Sequence, residues 1–278
     1  MNKEQPLISV LMPAYNAEKY ISESIDSILN QSYKNFEFII IDDFSTDKTY
    51  EIIKKYSKQD SRIKCFKNSK NLGIAGNRNR LIKMAKGKYI VWQDADDISF
   101  SFRLAKQTSF MQTHKNVGIC GSFIQSFDDK GFKDIRRYPF SDDSLRKNIF
   151  LYSPVAQPAA IIRKSVLNQV GLYNSKYPPA EDLDMSFRLG SCSKFANIQE
   201  SLIYYREHLA SNTYTRTKKQ IQSTLEIRAK NRKNLSYQIR LIDYLAFIVT
   251  WMIQSLPTSF IISIFKISRN ILLKINKK

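Results

Sequence analysis

Short apolar runs alternate with amphipathic segments along the first third of the chain. The runs at 7–12, 36–41 and 89–92 predict strands buried on both faces of a sheet, and the alternation of polar and apolar residues at 62–66 predicts a further strand. Segments with apolar residues at helical spacing predict helices between them, at 21–29, 47–58 and 74–85. Asn16 is a candidate cap for the first helix, and Gly87 a candidate C-terminal glycine for the third. This alternation predicts an α/β fold with one mostly parallel sheet.

The pattern changes after residue 97, where strands and helices no longer alternate regularly. Strands are predicted at 117–127, 159–162 and 195–206, a hairpin turn at 128–131, and helices at 102–113 and 181–189. We expect one α/β domain at 1–215 and a separate tail at 216–278.

Acidic residues cluster where the predicted strands end. Asp42 and Asp43 follow the second strand, and Asp-Ala-Asp-Asp at 94–97 follows the fourth. Because ligands bind beyond the carboxyl ends of parallel strands, these loops should meet the loop at 13–16 in one cleft. Crowded carboxylates repel one another unless a cation neutralises them, and alternate carboxylates suit a hard divalent cation. An isolated pair of this kind is also explained by a solvated turn or a helix cap.

The sequence allows two roles for the Asp43 carboxylate. Its carboxylate can accept hydrogen bonds from a base or a ribose. It can equally cap the turn at 45–47 that follows it.

Composition and charge narrow the class of protein. Hydrophobic residues make up 43% of the 278, so the chain can bury a core.

The three cysteines, Cys65, Cys120 and Cys192, are far apart and have no metal-binding spacing. We interpret them as small core residues in a reducing compartment. The first ten residues contain no secretory signal, so we expect a cytoplasmic location. The net charge of +19 favours an anionic partner.

The tail is the most basic part of the chain. Residues 241–253 are apolar except for Asp243, and 260–265 are apolar again, but neither run reaches the ~20 residues that cross a bilayer. Basic and apolar residues then interleave at about helical spacing up to Lys278, which is typical of an interfacial helix. We predict that 241–278 binds the cytoplasmic face of an anionic membrane. The alternative is that 241–253 packs on the domain or on a second subunit.

Five motifs in register carry a resemblance to a known family. They are 9–16 (SVLMPAYN), 42–47 (DDFSTD), 71–79 (NLGIAGNRN), 87–90 (GKYI) and 94–97 (DADD). Together with Glu181-Asp182 and Arg188, and with the run from Tyr205 to His208 and Ser211, they resemble the inverting family 2 glycosyltransferases of GT-A fold. The resemblance spans about residues 7–212. Two positions depart from the family's pattern, namely Phe44, where glycine is frequent, and Gln93, where an apolar residue is common.

The resemblance implies a role for each matching residue. The nucleotide-sugar donor would be bound by Pro13, Ala14, Tyr15, Asn16, Asp43, Arg78, Asp94 and Arg206. Mg²⁺ or Mn²⁺ would be bound by Asp94, Asp96 and His208. Asp182 would be the catalytic base, in competition with its neighbours Glu181 and Asp184. The alternative is that all three residues form an acidic helix start, which the helix dipole favours.

The implied activity is transfer of a sugar, with inversion, to a glycan or a lipid-linked glycan in the synthesis of a cell-surface polysaccharide. A nucleotidyltransferase that makes nucleotide sugars is the nearest alternative, but it would need a glycine-rich basic loop after the first strand. A dehydrogenase would need the G-x-G-x-x-G fingerprint there. Nucleic acid is disfavoured as a partner because the predicted cleft is acidic. The sequence does not predict the oligomeric state.

Overall fold

The computed structural model describes residues 5–208, 216–258 and 260–261 of the chain. Ser211 and the basic stretch from 262 to 278 therefore lie outside the described residues. The strands are β1 (Ile8–Ala14), β2 (Phe36–Asp42), β3 (Ile63–Lys67), β4 (Tyr89–Trp92), β5 (Ile98–Ser99), β6 (Val117–Asp128), β7 (Gly131–Arg136), β8 (Ile161–Arg163) and β9 (Lys194–Arg206).

The α-helices among these residues connect the strands or follow them. They are α1 (Ile21–Leu29), α2 (Thr49–Gln59), α3 (Gly73–Met84), α4 (Arg103–Thr113), α5 (Asp142–Asn148), α6 (Lys164–Val170), α7 (Glu181–Cys192), α8 (Thr217–Asn231) and α9 (Leu241–Ile253). None of the helices in the described part of the chain is long and apolar enough to cross a membrane.

The strands form one mixed sheet in the order β3-β2-β1-β4-β8-β6-β9-β5, with β7 paired to β6. β1, β2, β3 and β4 are parallel, as the alternation of strands and helices predicts. β8 is antiparallel to both β4 and β6, and it joins this parallel half to a second half in which β6 and β9 are parallel. The predicted α/β fold with a mostly parallel sheet is confirmed.

Each central strand contributes to two cores, one on each face of the sheet. In β1, Leu11 packs into one core while Val10 and Met12 pack into the other. This follows from the pleat, which points successive side chains to opposite faces. All seven residues of β2 are buried, because helices cover both faces of this part of the sheet. The apolar runs in the sequence reflect this double burial.

Two local predictions are wrong. Asn16 does not cap α1, which begins at Ile21 directly after Tyr20. Gly87 does not end α3 either, because that helix stops at Met84 and Ala85 is already extended. Gly87 instead lies against β1, where an added Cβ would come within 2.4 Å of the Ser9 amide nitrogen.

The cysteine prediction is correct only in part. Cys120 is buried and Cys65 is partly buried, but Cys192 is exposed at the end of α7. α7 is buried along most of its length, and Ser191 and Cys192 form its exposed end. The short elements β5, α5 and α6 have two to seven residues and too little periodicity to be seen in the sequence.

Gly87→Ala tests the close approach between the α3–β4 connection and β1. The new methyl group would meet backbone atoms that cannot rotate away, so we expect the free energy of unfolding to fall by about 1–3 kcal/mol. Denaturant unfolding measures the loss. Lys86→Ala, which changes an exposed side chain one residue earlier, should leave the stability unchanged. Equal stabilities of the two variants would contradict this packing.

Candidate active site

The loops after β1 and β2 are tied together at the carboxyl edge of the sheet. The Asp43 amide donates to the Ala14 carbonyl at 2.8 Å. Asn16 has a left-handed φ of 47°. Its side-chain oxygen accepts a hydrogen bond from the Thr46 backbone amide at 3.0 Å, and its backbone amide donates one to Ser45 Oγ at 3.0 Å. Two backbone segments from different βα units therefore form one continuous rim, which explains why Asn16 does not serve as a helix cap.

The two aspartates at the end of β2 have different partners. Asp42 is fully buried and accepts the Ser45 amide at 3.1 Å, so Asp42 caps the turn that Asp43 was a candidate to cap. Asp43 instead accepts the amides of Leu72 and Gly73, each at 2.9 Å, at the start of α3. Asn68 also donates to the Asp43 carboxylate at 2.6 Å.

The predicted donor-binding residues of this rim differ in exposure. Ala14 is buried in β1 and Pro13 is partly buried, while the side chain of Tyr15 is 52% exposed. Phe44, at one of the two positions that depart from the family's pattern, is 48% exposed and has a φ of 66°, which is unusual for a residue with a Cβ. The rim therefore presents two aromatic side chains next to the buried carboxylate of Asp43.

Arg78 joins the acidic loop after β4 to the start of α7. Its guanidinium Nη1 donates to Glu181 Oε1 at 2.6 Å, and Nη2 lies 3.9 Å from Asp94 Oδ1. The side chain is buried, and the rings of Trp92 and Tyr173 lie 5.3 and 5.6 Å from its guanidinium carbon. A single cation thus holds carboxylates from two distant segments at one edge of the sheet.

The three acidic residues at the start of α7 are distinguished by their partners. Glu181 is paired with Arg78, and Asp184 is paired with Arg188 at 2.9 Å. Asp182 has no ion pair within 4.0 Å in the part of the chain that the structure describes, and its Oδ1 accepts the Leu183 amide at 2.8 Å. Burial raises the pKa of Asp182, and the nearby Arg78 opposes that rise.

Residues at the end of β9 hold the acidic loop from the other side. The Arg206 amide donates to Asp97 Oδ1 at 2.9 Å, and its guanidinium donates to the Asp96 carbonyl at 3.0 Å and to Glu23 at 2.5 Å. His208 Nε2 lies 2.8 Å from Asp96 Oδ2. Arg206 is therefore engaged with the protein in this structure, and its role as a donor ligand stays a prediction.

A buried polar network, which the sequence did not predict, contacts the acidic loop at 94–97 from the protein interior. The Gln93 side chain donates to the Asp97 carbonyl at 2.8 Å and to Ser24 Oγ at 2.9 Å. Its carbonyl oxygen accepts from Arg103 at 3.2 Å, and Arg103 also donates to the Trp92 carbonyl at 2.9 Å. Gln93 and Arg103 are both fully buried, and burial lowers the pKa of Arg103 to about 10.

The predicted metal ligands are gathered at one loop but do not surround a common point. Asp96 and His208 are in contact, whereas Asp94 is directed toward Arg78. No group of three or more histidine, cysteine or acidic side chains within 5–208, 216–258 and 260–261 is arranged to hold an ion. Burial, with a smaller contribution from the neighbouring Asp96, raises the pKa of Asp94 to about 6 against the opposing effect of Arg78. A cation would relieve this repulsion, so the donor set fits a hard divalent ion.

Two residues of the buried polar network are recognisable in the sequence. Gln93 was visible as a polar residue in an apolar run, and Arg103 as a charge beside apolar Leu104. Their mutual contact could not be found, because the packing of α4 under the loop joins them. The pairing of Arg78 with Glu181 spans 103 residues and leaves no local pattern.

A sheet with parallel βα units at one half and carboxylates from several loops at its edge is typical of glycosyltransferases of GT-A fold. The chain belongs to glycosyl transferase family 2, whose model matches residues 9–171. An uncharacterised glycosyltransferase of Methanocaldococcus jannaschii is 35% identical over 239 residues, which cover 83% of this chain and 82% of that protein.

Two further proteins are similar to this chain, one in sequence and one in fold. The Escherichia coli protein WfaP, a "UDP-Glc:alpha-D-GlcNAc-diphosphoundecaprenol beta-1,3-glucosyltransferase", is 31% identical over 228 residues, covering 78% of this chain and 84% of that protein. A mannosyltransferase from Pyrobaculum calidifontis, solved with GDP-Man and Mn²⁺, has a similar fold. Its TM-score is 0.65 at 16% identity, covering 93% of this chain and 72% of that one.

Gln93→Leu tests the network under the acidic loop. The substitution removes the donor to the Asp97 carbonyl and one of the acceptors of the Arg103 guanidinium, so we expect a loss of about 1–3 kcal/mol in the free energy of unfolding. The double variant with Arg103→Met should lose less than the sum of the two single variants, because each single change already removes the hydrogen bond that the two side chains share. Gln59→Leu, at an exposed position, is the matched control. Additive losses would contradict the coupling.

Proposed function

We propose that this glycosyltransferase uses a nucleotide-sugar donor and a divalent cation, and that it inverts the anomeric carbon. The acceptor in this proposal is a hydroxyl of a saccharide or of a lipid-linked saccharide, in the synthesis of a cell-surface polysaccharide. Membership of the family supports the transfer of a sugar. The donor class, stereochemistry, metal and acceptor are the parts that the site geometry and the relatives support.

The observation that carries the proposal is the difference between Asp182 and its acidic neighbours. Glu181 and Asp184 are buried and each is paired with an arginine, whereas Asp182 is partly exposed. Burial raises the pKa of Glu181 as well, so access and pairing, and not the pKa, distinguish the two residues. Asp182 stands beside Arg78 without pairing to it among the described side chains, and its pKa is raised by burial. A carboxylate whose pKa is raised toward neutrality is better matched to general-base work.

The reaction then needs one displacement. A carboxylate oxygen of Asp182 accepts the proton of the acceptor hydroxyl while the oxygen of that hydroxyl forms a bond to the anomeric carbon. The bond from the same carbon to the donor phosphate oxygen breaks, and the electron pair leaves with the nucleoside diphosphate. Because the attack and the departure occur on opposite faces, a single displacement inverts the configuration.

The charge of the departing diphosphate is the second requirement. Asp94, Asp96 and His208 are the residues that would hold Mg²⁺ or Mn²⁺, which when bound supplies Lewis-acid stabilisation to the diphosphate. Arg78 lies 3.9 Å from Asp94 and adds positive charge at the same edge. Arg206, which holds the backbone of the acidic loop, keeps Asp96 and Asp97 in place.

The relatives support the choice of donor and acceptor. The printed name of WfaP specifies a UDP-linked glucose and an acceptor on a diphosphoundecaprenol lipid. The mannosyltransferase of similar fold was solved with GDP-Man and Mn²⁺. We propose the same classes of donor, cation and acceptor here, with Pro13, Tyr15 and Asp43 on the nucleoside side of the cleft.

A nucleotidyltransferase is the competing function. It would release pyrophosphate from a nucleoside triphosphate and would not consume a nucleotide sugar. The rim after β1 is built from Pro13-Ala14-Tyr15-Asn16 and has no glycine-rich basic loop. Pyrophosphate release from a nucleoside triphosphate and a sugar phosphate would favour that alternative.

Asp182→Asn tests the assignment of the base. The amide keeps the size of the side chain but cannot accept the proton, so we expect turnover to fall by about 10²–10⁴-fold. Donor affinity, measured by calorimetry, should stay nearly unchanged. Glu181→Gln is the variant for comparison, and it should act mainly through stability because it breaks the pair with Arg78. An inactive Glu181→Gln beside an active Asp182→Asn would assign the base to the neighbouring residue.

Asp96→Ala tests the metal. We expect sugar transfer to require a divalent cation and to be lost in this variant, because one carboxylate ligand and its contact with His208 are removed. Activity after chelation with EDTA, and its recovery on adding Mn²⁺, are the measurements. Asp129→Ala, at an exposed position, is the control and should keep the activity of the unaltered enzyme. Full activity in EDTA after thorough metal removal would refute the metal requirement.

A further inference from the structure

Helix α9 exposes a continuous apolar face. The residues of this face are spaced as one helical stripe and are 51 to 75% exposed: Leu241, Ile242, Leu245, Ile248, Val249 and Met252. Tyr244 and Trp251 flank the stripe at 45 and 59% exposure. The single charged residue of the helix, Asp243, is buried. An apolar patch of this extent on a protein surface marks an interaction site.

The other side of α9 is fixed to the protein, which keeps the stripe pointing outward. Phe247 lies under the guanidinium of Arg232 at 4.1 Å. Asp243 accepts the Arg240 amide at 2.8 Å and caps the start of the helix. After α9, Ile261 is buried against Ile221 of α8, in the same apolar cluster against which Phe247 packs. The stripe is therefore held in place by packing on its opposite side.

We infer that this face of α9 docks on the surface of an anionic lipid bilayer. The helix has thirteen residues, about 20 Å of α-helix, which suits a helix lying in the interface and not one crossing it. Tyrosine and tryptophan at the flanks of an apolar face are typical of membrane interfaces, where one end of the ring is apolar and the other is hydrated.

Charge decides between a bilayer and a second copy of this chain. Residues 216–261 contain eight lysines and arginines against two acidic residues, a net charge of +6. Exposed examples on or after α8 are Lys218, Lys219, Lys230 and Lys233. Two copies of so basic a segment would repel each other in a homodimer, whereas anionic headgroups attract the segment. Residues 262–278 add five basic residues and no acidic one, which strengthens the preference for an anionic surface.

The consequence for the acceptor rests on the proposed function. A transferase held at the membrane by α9 would meet acceptors that carry a lipid diphosphate anchor in the same plane. Vesicle binding itself involves neither donor nor transfer, so it can be tested separately. A failure of vesicle binding would leave the assignment of the base and the metal untouched.

The two tryptophans of the chain make docking measurable with the full-length protein. Trp92 is fully buried in the sheet, while Trp251 is exposed beside the stripe. We expect vesicles of phosphatidylcholine with phosphatidylglycerol to shift the fluorescence to the blue and to float with the protein, and phosphatidylcholine alone to do much less. Added salt should weaken binding, because it screens the headgroup attraction. Trp251→Phe should remove the fluorescence change while keeping flotation.

Charged substitutions on the stripe test its direct role. The double variant Leu245→Glu with Ile248→Glu alters exposed side chains, so it should fold with an unchanged melting temperature. We expect it to weaken vesicle binding by about tenfold or more, since carboxylates resist transfer to the interface. Leu235→Ser, at a fully exposed leucine outside α9, is the matched control and should bind as the unaltered protein does.

Three results would overturn the inference. The first is full-length protein that does not float with phosphatidylglycerol vesicles at low salt. The second is a double variant that floats as well as the Leu235→Ser control. The third is a dimer, detected by sedimentation velocity without lipid, that the double variant dissociates, since a second copy would then be the occupant of the stripe.

Discussion

The buried guanidinium of Arg78 is the constraint on which the site depends. It compensates the charge of Glu181 at 2.6 Å and lies 3.9 Å from Asp94, two carboxylates that reach the sheet edge from segments about ninety residues apart. Without this cation, burial would leave the carboxylates uncompensated, and the loop after β4 and the start of α7 would separate or take up protons. By pairing with Glu181, Arg78 also leaves Asp182 as the acidic residue of that turn with no ion pair among the described residues.

Two further sets of contacts keep the acidic loop in place. Gln93 and Arg103 hold it from within the sheet, and Arg206 holds it from the end of β9. Because these contacts go largely to backbone carbonyls and to Asp97, the carboxylates of Asp94 and Asp96 remain partly exposed at 28 and 31%. A loop supported in this way presents charge to a ligand without depending on that ligand for its conformation.

Features that depend on the burial of neighbouring residues could be predicted from the sequence. Double burial produces apolar runs, so β1, β2 and β4 were placed within two residues, and their order put Asp43 and Asp94 at one edge. Pairing between distant side chains left no such pattern, and the partners of Glu181, Gln93 and Arg206 could not be predicted. The errors at Asn16 and Gly87 have the same origin, because each residue has a long-range contact that outweighs its local preference.

The proposal that this edge binds a nucleotide sugar is tested most directly by thermal stability. A ligand that binds only the folded protein stabilises it by RT ln(1 + [L]/Kd) and so raises the melting temperature as its concentration exceeds its dissociation constant. We expect one or more of the UDP-, GDP-, dTDP- and CMP-linked sugars to raise it in the presence of Mn²⁺, with a smaller rise after chelation. Melting temperatures that none of these donors changes, with or without Mn²⁺, would contradict the account.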